Sequence, residues 1–143
     1  MIEGIIGEVE VRFLIDLSLA LVCGVIVGAE RELKNKPAGI STQTLVISGA
    51  MIFAFLSQML DAGDPTRIAA QIVSGIGFLG AGLILKSENS KKVSNVTTAA
   101  SIWYSAGIGM ALGFDFYFIA IVAAVYAVLI SRIPHIKTYK NDD

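Results

Sequence analysis

Charged residues are absent from five stretches of the chain, 17–29, 37–60, 68–85, 93–114 and 116–131, and gather in the short segments between them. Five uncharged runs cannot all be buried in one small soluble core, because a surface helix needs a solvated polar face. They suit a bilayer, where a helical span takes about 20 mostly apolar residues and no fewer than roughly 17. The pattern predicts an all-α, polytopic integral membrane helical bundle with about five transmembrane helices, at about 13–29, 43–60, 68–85, 96–112 and 116–133. Each span is close to the minimum length, so little tilt is expected. Residues 1–12 would form an extracytoplasmic segment, 13–133 a single membrane domain and 134–143 a short cytoplasmic tail.

The boundaries carry turn chemistry. Pro37-Ala38-Gly39 separates the first two spans. Asp64 is placed as an N-cap with Pro65 at the first helical position of the third. Lys86–Lys92 forms a polar loop, and Ser94 or Asn95 can cap the fourth helix. Gly113-Phe114-Asp115 must turn the chain, because the last two spans together would reach roughly 57 Å as one helix. Nine of the 11 Lys and Arg residues fall on one side of this topology, and Arg12 and Arg67 on the other. The positive-inside rule then puts the N-terminus outside and the C-terminus in the cytoplasm.

Composition changes this picture little. Hydrophobic residues make up 55% of the 143 and charged residues 16%, against about 25% in soluble domains. The net charge of −1 gives no basic field for nucleic acid. The acidic opening Met1-Ile-Glu-Gly is unlike a signal peptide. Cys23 cannot form an internal disulfide, and no metal or cofactor site is expected. Gly75-Ile-Gly77-Phe-Leu-Gly80 matches a dinucleotide fingerprint in letters only. It lies inside an apolar run, with no acid about 20 residues on, so nucleotide binding is not expected. No catalytic arrangement of Ser, His, Cys or carboxylates is available, which argues against an enzyme.

Small residues mark where helices in lipid approach closely. In the first span Asp16, Ala20, Gly24 and Gly28 recur at four-residue intervals; in the fourth, Ser101, Ser105, Gly109 and Gly113 do the same. The third span carries small residues on two faces, with Gly75 and Gly82 on one and Gly77 and Ala81 on the other, and Gly80 beside them. This predicts a central helix with more than one close neighbour. Trp103 and Tyr104 fall near mid-span and are expected to pack, whereas Phe114, Phe116, Tyr117 and Phe118 would form an outer aromatic belt. Among polar residues Asp16 stands out, since ionisable groups within spans are expensive and face a partner or a water path. Gln71 could share its cluster. Asp64 and Arg67 at the outer end of the third span, and Arg31 at the start of the first cytoplasmic loop, complete the candidates.

The stretch Asp64-Pro-Thr-Arg-Ile-Ala-Ala-Gln-Ile-Val-Ser-Gly-Ile-Gly-Phe-Leu-Gly-Ala-Gly82 resembles the signature of the MgtC/SapB family of prokaryotic membrane proteins. Gly28-Ala-Glu-Arg-Glu32, Ala38-Gly39, Leu45-Val46, Gly49-Ala50 and Thr98-Ala-Ala-x-x-Trp103 fit in order. The resemblance covers about residues 13–132. It implies an inner-membrane protein of about five spans, linked to magnesium limitation or stress and, in the best-known member, to inhibition of the proton-translocating ATP synthase. Two positions depart from the family pattern: Ser41 stands where Arg is common, and Ser94-Asn95-Val96 where Arg-Gly-Leu is. The virulence-associated members carry a cytosolic C-terminal domain, and only Pro134–Asp143 follows the last span here.

The expectation is a non-enzymatic regulatory protein of the cytoplasmic membrane. Its partners would be the bilayer and either its own copy or another integral membrane protein. The alternative is a conduit for Mg²⁺, protons or a small solute that uses Asp16.

Overall fold

The computed structural model describes residues 7–60, 64, 66–85 and 94–133. They form five helices and, among the described residues, no strand: α1 Glu8–Leu33, α2 Ile40–Leu60, α3 Thr66–Leu85, α4 Val96–Gly113 and α5 Tyr117–Ser131. Each helix sits on one of the five uncharged runs. Pro65, the 86–92 loop and His135 lie outside the described residues.

Two lengths differ from the hydropathy pattern. α1 has 26 residues and begins well before Phe13. Glu8 and Glu10 favour the positive end of the helix there, and Glu10 Oε2 accepts a hydrogen bond from the Gly7 amide at 2.9 Å. α5 has only 15 residues, a rise of about 22 Å, short of the roughly 30 Å of a bilayer core. By length and composition α1, α2 and most of α3 can cross a membrane. The α4–α5 turn is tight: the Phe114 amide returns to Met110 O and the Phe116 amide to Ala111 O, with Asp115 in the left-handed region at φ 65°.

The central helix is α2, not α3. α2 packs on α1 along one side and on α4 along the other; α5 closes against α4 and α1; α3 lies on the flank, touching α4 and α2 but not α1. The reason is which glycines meet a backbone. A Cβ at Gly24 would overlap Thr44, and one at Gly28 would overlap the backbone of Gly39 and Ile40. On the other side, Cβ atoms at Gly109 and Gly113 would run into the carbonyl oxygens of Ile47 and Met51. Both small-residue ladders therefore point at α2, whose Ile47, Met51 and Phe55 fill the core with Ile108 and Leu112 of α4. By contrast Gly75, Gly77 and Gly82 of α3 have nothing described within 4 Å, and Gly80 makes only ordinary contact with Ala99.

Cys23 is buried among the core residues. Tyr104 packs, donating its hydroxyl hydrogen to Ala123 O at 3.2 Å, but Trp103 is 52% exposed, which corrects the expectation that both are packing residues. It lines a shallow cavity with Val73 and Ile76 of α3. Phe116 and Phe118 are exposed at the start of α5, as a belt requires, whereas Tyr117 turns inward.

These contacts separate two kinds of glycine. Gly109→Leu should cost at least about 1–3 kcal/mol through overpacking, whereas Gly77→Ala should not lower stability. Unfolding in mixed detergent micelles measures both; equal losses would contradict the α2-centred packing.

Candidate functional site

Polar side chains inside an apolar bundle need partners, and they collect here at two ends. The first group lies where α1 ends, α2 begins and α4 begins. Gly28-Ala-Glu-Arg-Glu32 organises it. Gly28 admits the incoming backbone of Gly39 and Ile40. Glu32 Oε1 accepts from the Ile40 amide at 2.9 Å, supplying an acceptor to the first turn of α2. Arg31, only 2% exposed, donates from Nε to Pro37 O at 2.9 Å and from a terminal nitrogen to Thr98 Oγ1 at 2.6 Å. Asn35 and Ala38 take left-handed conformations to close this connection. Glu30 pairs with Lys34 one turn on, and Lys34 also donates to Ser131 O at the end of α5.

From Thr98 the hydrogen bonding continues inward. Ser101 Oγ donates to Thr98 O at 2.8 Å, and Gln43 Nε2 donates to Ser101 Oγ and Ala38 O, both at 3.2 Å. Ser105 Oγ donates to Gln43 Oε1 at 2.6 Å. Gln43 and Ser105 are fully buried. The sequence reading placed Arg31 at the start of a loop and missed Gln43 and Thr98. The available signal was the uncharged polar run Ser41-Thr-Gln-Thr44 at the start of a span.

The second group lies at the opposite end. Arg12 bridges Gln58 Oε1 at 2.7 Å and Asp115 Oδ2 at 2.5 Å and stacks over Phe55, 5.3 Å from the ring centre. Tyr117 donates to Asp115 Oδ1 at 3.0 Å. Asp16 lies about one helical turn further in. It has no exposed surface, and neither carboxylate oxygen has a hydrogen-bond partner among the described residues. The Tyr117 hydroxyl stands beside it, outside ordinary hydrogen-bond geometry, and the charges of Arg12 and Asp115 act on it.

The remaining candidates do not join either group. Gln71 is exposed on α3 and cannot meet Asp16, because α3 and α1 do not touch. It instead lines a cleft of about 690 Å³ between α2 and α3, with Gly49, Gly75 and Phe53. Asp64 Oδ1 accepts from the amide of Thr66 at 3.1 Å and from its hydroxyl. These bonds hold the Asp64 carboxyl below the usual carboxylate range, and they cap α3. Arg67 is exposed on the first turn. Asn95 occupies the N-cap position of α4 but makes no side-chain capping bond. No group of three or more His, Cys, Asp or Glu side chains converges on a metal-sized site among the described residues.

The profile of the MgtC family matches residues 17–136, from about two turns before the α1 glycines to beyond α5. The chain belongs to the MgtC family. It is 44% identical to an uncharacterized protein of Haemophilus influenzae, over 80% of this chain and 52% of that one. It is 42% identical to Protein MgtC of Salmonella typhimurium strain LT2, over 79% and 48%. To a protein of Escherichia coli K12 named "Putative magnesium transporter YhiD" the identity is 38%, over 90% and 63%. The chain thus spans about half the length of the first two relatives. No solved structure matches it. Within this MgtC-family chain, the segment 28–32 is the clamp between α1 and α2, the long segment 64–82 is mostly α3, and Thr98-Ala-Ala is the first turn of α4.

Two substitutions test the polar groups. Gln43→Leu should destabilise the bundle by roughly 1–3 kcal/mol, since it strands the buried Ser105 hydroxyl, whose acceptor is Gln43 Oε1. Asp16→Asn should raise stability, because it removes an unpartnered buried carboxylate whose desolvation costs at least about 1–3 kcal/mol. Both are read by detergent unfolding at neutral pH. A stability loss for Asp16→Asn would mean that the carboxylate holds the fold.

Proposed function

We propose that this MgtC-family chain is the membrane part of a non-enzymatic regulatory protein in magnesium homeostasis, and that it holds another integral membrane protein against α3. In this reading it spans the cytoplasmic membrane five times, the short α5 crossing with the help of its flanking residues 116 and 132–133, with the N-terminus outside and the end bearing Arg31, Lys34 and Arg132 toward the cytoplasm. The observation that carries this reading is the one-sided packing of α3. Glycine within a helix costs about 1 kcal/mol relative to alanine, and in lipid its use is to let a second helix approach. Gly24, Gly28, Gly109 and Gly113 serve α2 in this way, but Gly75, Gly77 and Gly82 serve no described neighbour. Beside them Phe78 is 81% exposed. The magnesium association comes from the relatives' names and the family resemblance, and modulation of a complex such as ATP synthase is one form the activity could take.

A second reading, Mg²⁺ or proton passage through Asp16, is favoured by the full burial of that carboxylate without a hydrogen-bond partner and by the name of the Escherichia coli relative. Asp16 lines none of the three described cavities, so the conduit would need another conformation.

The two readings part in a strain lacking the protein and grown in low magnesium. Wild-type chain should restore growth; Gly77→Leu, correctly folded and inserted, should not, while Asp16→Asn should. Full rescue by Gly77→Leu would end the α3 reading. Failure of Asp16→Asn, together with loss of Mg²⁺ or proton flux in liposomes, would establish the conduit.

A further inference from the structure

The end of the bundle that gathers Arg31 also carries a cavity of about 420 Å³ between α1, α4 and α5. Its charged lining is Glu30, Arg31 and Lys36, and its apolar lining includes Tyr126 and Ile130 of α5. Arg31 is almost wholly buried, yet among the described residues it makes two hydrogen bonds, both to neutral oxygens, and no ion pair. A guanidinium has five N–H donors, so most remain for another acceptor. The carboxylate that acts on Arg31 is Glu30, which Lys34 also claims, and a buried cation is unfavourable unless enough anionic charge offsets it.

The local carboxylates are otherwise engaged. Glu30 faces the same cavity but is paired with Lys34, and Glu32 is bonded to the Ile40 amide. Arg31 and Lys36 line the cavity with Glu30, whose carboxylate Lys34 also takes, so cationic groups outnumber it there. The complementary ligand therefore has an anionic head for Arg31 and Lys36 and an apolar tail for the α4–α5 side. Basic pockets between spans take lipid headgroups in this way.

We propose that this cavity binds an anionic phospholipid, its phosphate against Arg31 and Lys36 and one acyl chain along Tyr126 and Ile130. The site rests on membrane insertion but not on the α3 reading, which uses a different face.

The test is native mass spectrometry of the full chain in detergent with equal amounts of phosphatidylglycerol and phosphatidylcholine of the same acyl chains. Wild type should favour phosphatidylglycerol, by roughly five-fold for each cation that meets the headgroup. Lys36→Gln should reduce that preference without touching the Thr98 and Pro37 contacts of Arg31. Ala100→Phe, at an exposed position lining the cavity, should reduce retention of both lipids by filling it. Equal binding of the two lipids by wild type, an unchanged preference in Lys36→Gln, or unchanged retention of both lipids in Ala100→Phe would overturn the proposal. So would inorganic phosphate displacing phosphatidylglycerol at millimolar concentration, since the site would then take free phosphate and the tail would contribute nothing.

Discussion

The bundle depends on backbone contact between α2 and its two neighbours. Helices surrounded by lipid gain little from the hydrophobic effect when they associate, so packing distance supplies the attraction. Gly24 and Gly28 let α1 reach the α2 backbone, and Gly109 and Gly113 let α4 reach it from the opposite side. The remaining elements follow from this sandwich. α5 closes over α1 and α4 at the far side, and α3 is left attached chiefly to α4.

Close approach also fixes the polar chemistry. With the backbones this near, Arg31 reaches from α1 to Thr98 at the start of α4, and Gln43 reaches Ser101 and Ser105 further along it. The three helices share a hydrogen-bonded chain that satisfies side chains otherwise costly to bury. It pins one end of the bundle, while the Arg12–Asp115–Tyr117 cluster ties α1 to the α4–α5 turn at the other. Asp16 differs from both groups. It is buried beside the second with only the Tyr117 hydroxyl close by, and buried polar groups short of partners are rare in native proteins.

Family membership gives these features a context without assigning their roles. The matched region covers all five helices except the first turns of α1, so the α2-centred sandwich and the Arg31 clamp both lie within what defines the family. The relatives are longer, and what their remaining segments do is not carried by this bundle. The bundle itself offers two distinct exposed opportunities, the glycine face of α3 and the basic-headed cavity between α1, α4 and α5.

The sequence by itself determined the number of helices and the stretch of chain each occupies, because charge placement and apolar length are local properties that a bilayer reads directly. It also singled out Gly24, Gly28, Gly109 and Gly113, since a four-residue recurrence puts them on one face. Where the helices go relative to one another was not local. Small residues on two faces of α3 read as the mark of a central helix, but a periodic stripe states that close approach is possible, not which neighbour is there. Tertiary structure gave the centre to α2, separated Gln71 from Asp16, exposed Trp103 and buried Arg31. Each of these outcomes turns on contacts between residues distant in the chain, such as Arg31 with Thr98, and no spacing along one helix can encode the identity of another helix's surface.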